Sequence, residues 1–148
     1  MARYAVDART LLHVVERKLV SRHQLVAPNF VRSEALELLL SDVRRGRRSD
    51  EDALATHEQM TELKLRLLGD RVSRRTAWKI ARDHKWERLR DAEYVAVAKL
   101  QADALVTVDA EMASRAAAVV PIVELDAVFK RASGRVTSRR ASGRSGSR

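Results

Sequence analysis

The sequence contains no cysteine, which excludes disulfides, thiol nucleophiles and thiolate zinc sites. Aromatic residues make up 4% of the chain and apolar residues 45%, so we expect a core of leucine, valine and alanine. No apolar run approaches the roughly 18 residues that a membrane-spanning helix needs. The first residues also lack the basic-then-apolar plan of a secretion signal, because Asp7 and Arg9 interrupt it. We therefore expect a cytoplasmic protein without a membrane partner.

Motifs of several common enzyme classes are missing as well. The chain has no G-x-S-x-G, no P-loop lysine motif and no G-x-G-x-x-G. Their absence argues against an α/β-hydrolase, a nucleoside triphosphatase and a dinucleotide-binding protein. The histidines are scattered and form no H-x₃-H pair, so surface or boundary positions are expected for them.

Positive charge is unevenly spread along the chain. The net charge is +9, and seven basic residues with no acidic residue lie between Lys130 and Arg148. A Ser/Gly/Arg segment of this kind buries too little apolar surface to fold. The sequence thus predicts one folded domain at 1–131 and a basic disordered tail at 132–148. The tail either attracts nucleic acid through phosphate contacts or simply keeps the chain in solution.

Short apolar runs alternate with segments of helical periodicity. The predicted strands lie at 3–7, 25–27, 63–69, 104–108 and 121–125. This alternation predicts a single α/β domain with a central parallel sheet of about four to five strands and helices on both faces. Residues typical of helix starts mark the helices between the strands: Pro28, Ser49, Ser73 and Asp91. A last helical turn or two is predicted at 126–131.

Four acidic residues stand out from this pattern. Asp7 and Asp109 end apolar runs a hundred residues apart, and ligands of open α/β sheets bind beyond the carboxyl ends of strands. Glu34 lies on the apolar side of the second helix, where a carboxylate is costly unless it is paired or binds metal. Asp91 precedes the fifth helix, at the positive end of the helix dipole. Together they predict an acidic pocket.

Clustered carboxylates repel one another and must either take up protons or hold a cation. Oxygen ligands of this kind select Mg²⁺ or Mn²⁺, which polarise phosphoryl oxygens and activate water. The pattern predicts hydrolysis of a phosphodiester. Each carboxylate also has a purely structural explanation: Asp7, Asp91 and Asp109 as helix N-caps, and Glu34 as a partner of Arg32 or of solvent.

The four acidic residues lie in motifs that resemble those of PIN-domain ribonucleases, most closely the VapC-type toxins of bacterial toxin–antitoxin pairs. The resemblance covers about residues 3–125 and is carried by 4–8, 27–39, 89–98 and 104–109. It implies that Asp7, Glu34, Asp91 and Asp109 are metal-binding catalytic acids, that Thr107 is a hydroxyl near the site, and that the cofactor is Mg²⁺ or Mn²⁺. Glu37 departs from the asparagine found in many relatives, and Glu111 is a candidate outer acid.

The resemblance also implies the partners of the protein: an RNA substrate, a small antitoxin that covers the acidic pocket, and a second copy in a homodimer. Two other functions stay open, a non-catalytic RNA-binding module with the same fold and a metal-dependent phosphatase. Two sets of basic residues either line an RNA path or are solvated helix ends: Arg44, Arg45, Arg47 and Arg48, and Arg71, Arg74 and Arg75. Trp78 and Trp86 either stack on bases or, as we favour, pack against protein.

Overall fold

Five parallel strands form the central sheet of the computed structural model, which describes residues 2–132. The strands in chain order are β1 (Arg3–Val6), β2 (Leu19–Val20), β3 (Gln24–Pro28), β4 (Arg66–Leu68), β5 (Ala104–Val106), β6 (Ile122–Val123) and β7 (Lys130–Arg131). The sheet order is β4-β3-β1-β5-β6, and β2 pairs separately with β7 in antiparallel fashion. The predicted single α/β domain with a central parallel sheet flanked by helices is confirmed.

Seven helices connect and cover the strands of the described chain. They are α1 (Ala8–Glu16), α2 (Val31–Arg44), α3 (Asp50–Thr61), α4 (Arg71–His84), α5 (Leu89–Gln101), α6 (Ala110–Ala116) and α7 (Leu125–Val128). The connections from β1 to β3 and from β4 to β5 cross the sheet in opposite directions. Because such crossovers are right-handed, their helices cover opposite faces. On one face α5 lies against β1 and β3, with α4 packed on it, while α1, α2 and α3 pack together.

The core is aliphatic, as the shortage of aromatic residues predicts. Leucine, valine and alanine dominate the buried side chains, and all three residues of β5 are buried. The burial along α5 matches its position between the sheet and α4, since Ala92 and the run from Tyr94 to Ala98 are all buried. A strand whose residues are all buried and a helix with a continuous buried run lie between other layers of the domain.

The helix starts predicted for α4 and α5 need correction. The N-cap of α4 is Asp70, whose side chain accepts a hydrogen bond from the backbone of Ser73, while the Ser73 hydroxyl accepts one from the Asp70 backbone. Ser73 is therefore the second member of a capping box, three residues inside the helix. Asp91 does not precede α5 but lies within its first turn, because the helix already begins at Leu89. It still lies at the positive end of the helix dipole.

The chain also differs from prediction at Pro28 and near residue 130. Pro28 is the last residue of β3, and α2 begins three residues later at Val31. The predicted helical turn at 126–131 is confirmed only up to Val128, because Lys130 and Arg131 pair with Val20 and Leu19 instead. A strand of two residues carries too little periodicity to be recognised in a sequence.

The predicted tail, 132–148, lies outside the described residues apart from Ala132. Among residues 2–132, no helix is both long enough and apolar enough to cross a lipid bilayer.

Candidate active site

The direction of chain winding reverses between β1 and β5, which are neighbours in the sheet. The chain proceeds from β1 toward β3 and β4 on one side, and from β5 toward β6 on the other. Val6 and Val106 are paired at the ends of these two strands, so Asp7 and Thr107 leave the sheet side by side. Such a switch point opens a crevice in which ligands of α/β proteins bind.

Asp7 is the most enclosed carboxylate at this crevice, with 5% of its surface exposed. Its Oδ1 accepts hydrogen bonds from the backbone N–H and the hydroxyl of Thr10, at 3.0 and 2.5 Å. Its Oδ2 accepts a bond from the hydroxyl of Thr107 at 2.6 Å. Burial raises the pKa of Asp7 and the nearby charge of Asp109 adds to this, against the lowering effect of the two threonines.

The same two hydroxyls tie Asp7 to the loop that follows β5. The backbone N–H of Val108 donates to the Thr10 hydroxyl at 3.0 Å, and that of Asp109 donates to the Thr107 hydroxyl at 3.1 Å. Asp109 in turn caps α6, because its Oδ1 accepts from the backbone of Glu111 and Met112. The positions of Asp7 and Asp109 therefore depend on one another through two threonine side chains.

Glu34 lies in the first turn of α2 and points inward, with 8% of its surface exposed. The hydroxyl of Tyr94 donates to its Oε1, and Arg88 donates to its Oε2 at 3.1 Å. Arg32, the partner considered from the sequence, instead donates to the carbonyl of Leu63 at 3.3 Å. Burial and the charge of Glu34 raise the pKa of Tyr94, so its hydroxyl stays protonated and keeps donating.

Asp91 faces Arg115, a residue of α6. The Nη2 atom of Arg115 lies 3.4 Å from Oδ2 of Asp91 and 4.0 Å from Oε1 of Glu111. The guanidinium carbon of Arg115 lies 4.8 Å from the centre of the Trp86 ring, a cation–π arrangement. Trp86 thus packs against protein, as favoured from the sequence, whereas Trp78 is 60% exposed. Trp86 holds Arg115 where its charge offsets that of Asp91.

The four carboxylates that were singled out in the sequence line a single cavity of about 270 Å³. Asp7, Glu34, Asp91 and Asp109 come from four separate segments, and Glu111 also lines the cavity. Two of the structural explanations hold as well, because Asp7 and Asp109 are true N-caps. The capping bonds of Asp109 go to Oδ1 only, so they do not involve its Oδ2 atom. Asp91 makes no side-chain cap, so its place in the cavity lacks that explanation.

The donor set of this cavity fits a hard divalent cation. All candidate ligands are carboxylate oxygens, with a threonine hydroxyl bonded to one of them, and such ligands suit Mg²⁺ and Mn²⁺. Within residues 2–132, however, no three acidic or histidine side chains are grouped closely enough to hold an ion as they stand. Two of the four acids, Glu34 and Asp91, are instead paired with Arg88 and Arg115. The two arginines supply the positive charge that clustered carboxylates require.

Four residues that contact the acids were not identified as site residues from the sequence: Thr10, Arg88, Tyr94 and Arg115. Thr10 offered a signal, since it is a polar residue three positions after Asp7 on the buried face of α1. The arginines offered none, because only the fold shows which of many basic residues reach the carboxylates. Glu37, which departs from the family pattern, is exposed and pairs with Arg90 at 2.9 Å, so it does not line the cavity.

Comparison with known proteins supports the fold. No family model and no curated protein matches the chain. A solved structure with a similar fold is that of PAE2754 from Pyrobaculum aerophilum, with a TM-score of 0.62 and 21% sequence identity. The match covers 85% of this chain and 92% of that one. At this level of identity the likeness concerns the arrangement of strands and helices and not the activity.

Proposed function

We propose that this protein is a metal-dependent endoribonuclease of the PIN-domain type, similar to VapC toxins. The observation that carries the proposal is the convergence of Asp7, Glu34, Asp91 and Asp109 on one cavity at the switch point of the sheet. Buried carboxylates destabilise a fold unless they are compensated. Asp7 and Glu34 are buried, and the gathering of all four acids from distant segments is better explained by a bound cation and its chemistry than by stability.

In this proposal the four carboxylates would hold Mg²⁺ or Mn²⁺, which when bound would polarise a phosphoryl oxygen and make water a better nucleophile at neutral pH. The residues around them keep the acids in place. Thr10 and Thr107 orient the carboxylate of Asp7, and Tyr94 orients that of Glu34. Such supporting hydrogen bonds set the direction of ligand lone pairs.

Water attacks the phosphorus of the scissile phosphodiester, and the bond from phosphorus to the 3′ oxygen breaks. The products carry a 5′-phosphate and a 3′-hydroxyl. Arg88 and Arg115 have guanidinium groups at the wall of the cavity. Planar guanidinium groups match phosphate oxygens, so both arginines are placed to bind the substrate phosphate when they leave their carboxylate partners.

The proposal extends to the setting implied by the family resemblance. A cytoplasmic ribonuclease with an open cavity needs control, and in VapC-type pairs a small antitoxin made alongside the toxin covers the acidic pocket. The partners proposed here are RNA, a cognate antitoxin and a second copy of the chain in a homodimer.

A non-catalytic RNA-binding module is the second candidate, and the arginine pairs favour it. Arg88 and Arg115 already neutralise two of the four carboxylates. A pocket that is balanced in this way needs no metal ion to be stable, and the basic surface alone is sufficient for binding RNA.

Cleavage of mixed RNA with Mg²⁺ or Mn²⁺, against the same reaction in EDTA, separates these candidates. Asp91→Asn is expected to abolish cleavage and to leave RNA binding intact or stronger. Asp83→Asn is the matched control, because Asp83 is exposed on α4 and pairs with Arg82 away from the cavity. If the Asp91 variant cleaves as fast as the parent, or if the parent never cleaves, the nuclease proposal fails. Hydrolysis of a chromogenic phosphomonoester but not of RNA indicates a phosphatase instead.

A further inference from the structure

A second cavity, of about 430 Å³, adjoins the acidic pocket. It lies between α1, α2 and the loop after α2, and we call it the basic groove. Arg9 and Leu38 line both the acidic pocket and the basic groove, so the two share a wall. Val108, the residue before Asp109, also lines the groove. Its volume lies in the range of about 300–1,000 Å³ that is usual for sites of small organic ligands.

Positive charge exceeds negative charge in the basic groove. Four arginines line it, against two acidic residues, Glu16 and Asp42. The arginines are Arg9, Arg45, Arg47 and Arg48. They do not all have the same role. Arg48 is a structural residue, since it bonds to Glu16 at 2.6 Å and to Asp52 at 3.0 Å and its side chain is only 15% exposed.

Arg9 and Arg45 differ from Arg48 because both are exposed and neither forms an ion pair within residues 2–132. Arg47 is intermediate, with a long contact of 3.8 Å to Asp42 and a side chain that is 65% exposed. The acidic residues of the groove are thus committed to Arg48 and Arg47. Their charge does not compensate Arg9 and Arg45, which are the residues available to an anionic ligand.

We infer that the basic groove binds the sugar–phosphate backbone of single-stranded RNA, next to the phosphate that lies at the carboxylates. This inference rests on the proposed function and adds the path of the substrate. A nucleic-acid strand presents phosphates at regular intervals, so the neighbours of the scissile phosphate must lie just outside the acidic pocket. The shared wall formed by Arg9 makes the groove the continuation of the pocket on that side.

The structure also separates this path from the other basic cluster that the sequence indicated. Arg71, Arg74 and Arg75 lie on α4 and line neither the acidic pocket nor the basic groove. The charge of Arg74 acts on Glu93 instead: burial raises the pKa of Glu93, and the positive charge of Arg74 lowers it. The choice between two arginine clusters of similar composition is therefore made by the fold. Arg71 and Arg75 serve as a matched control, since both are exposed.

The test is the affinity of the full chain for a fluorescein-labelled single-stranded RNA, measured by fluorescence anisotropy in EDTA across a salt series. Arg9→Ala with Arg45→Ala is compared with Arg71→Ala with Arg75→Ala. For single strands each lost phosphate contact lowers the slope of log K against log salt by about 0.7. For the double variant of Arg9 and Arg45 we expect the slope of log K against log salt to decrease in magnitude by about 1.4 and the affinity at low salt to fall at least about tenfold. The double variant of Arg71 and Arg75 should keep the slope and the affinity of the parent. Arg9→Gln with Arg45→Gln repeats the test with milder changes.

Equal losses in the two pairs, or no loss in the groove pair, overturn the inference. A second outcome also overturns it: an oligoglutamate peptide binds the parent at the groove arginines but does not compete with RNA. The groove is then a binding site for acidic peptides. Failure of the proposed function can be told apart from failure of this inference. In that case the parent does not cleave RNA with Mg²⁺ or Mn²⁺, but the groove variants still bind RNA more weakly than the parent. Cleavage by the parent with unchanged binding by the groove pair refutes the groove alone.

Discussion

The hydroxyl of Thr107 donates a hydrogen bond to the Oδ2 atom of Asp7 over 2.6 Å, although the two residues are 100 positions apart. The same oxygen of Thr107 accepts a bond from the backbone of Asp109. One side chain thus connects two carboxylates of the candidate site. It also joins the ends of β1 and β5, where the switch point of the sheet opens.

Replacement of Thr107 tests this connection. Thr107→Val preserves the shape of the side chain but removes the donor to Asp7 and the acceptor for Asp109. We expect RNA cleavage to fall by about 10- to 100-fold, the range found when the supports of metal ligands are removed. Thr107→Ser retains the hydroxyl and should restore most of the activity, and Thr76→Val on α4 is the control. Equal cleavage rates for the Val and Ser variants contradict the assigned role.

Asp7→Asn tests whether the site is maintained at the expense of stability. Burial and the neighbouring Asp109 raise the pKa of Asp7, so its ionised form destabilises the fold at neutral pH. Asparagine can still cap α1 but carries no charge. We expect a thermal midpoint about 2–5 °C higher than that of the parent in EDTA. In saturating Mn²⁺ the parent should gain more than the variant. Scanning calorimetry checks both, and a lower midpoint for the variant in EDTA counts against the argument.

Arg115→Ala tests whether Arg115 competes with a metal ion for Asp91. The pair is partly exposed, and such pairs contribute at most about 1 kcal/mol, which corresponds to roughly fivefold in affinity. We therefore expect the variant to bind Mn²⁺ about two- to fivefold more tightly in calorimetric titration, and RNA less tightly. Arg82→Ala is the control, because Arg82 pairs with Asp83 instead. Weaker Mn²⁺ binding by the Arg115 variant shows that the arginine supports the ligands rather than opposing the ion.

The capping box of α4 predicts a pH dependence of stability. The backbone N–H of Ser73 lowers the pKa of Asp70 below its ordinary 3.8. The stability that this carboxylate contributes is therefore fully present above pH 3.8. It is lost as the pH falls through the lower pKa that Asp70 has in the folded state. We expect Asp70→Ala to melt below the parent at pH 7, and Asp70→Asn to lose less because asparagine still caps. The gap between parent and Asn variant should close in acid. A gap that is constant with pH means that the charge of Asp70 makes no contribution.

Two errors of prediction show where local patterns stop being informative. Asp70 and Ser73 are both good N-caps, and only the path of the chain out of β4 decides that Asp70 has the extended backbone of a cap. Similarly, Lys130 and Arg131 continue a helical pattern but pair with Leu19 and Val20. In both cases the competing conformations are close in local free energy, so a contact elsewhere in the chain selects one.

The sequence by itself determined the alternation of strands and helices, the aliphatic core, and the four acids at positions where strands end or helices begin. These features depend on periodicity and capping, which act within a few residues. The tertiary structure alone decided the strand order, and with it the meeting of Asp7 with Thr107 and of Asp91 with Arg115. It also decided which arginines border the carboxylates and which lie on α4. Pairings across tens of residues have no local signal, because they exist only once the sheet and its helices have packed.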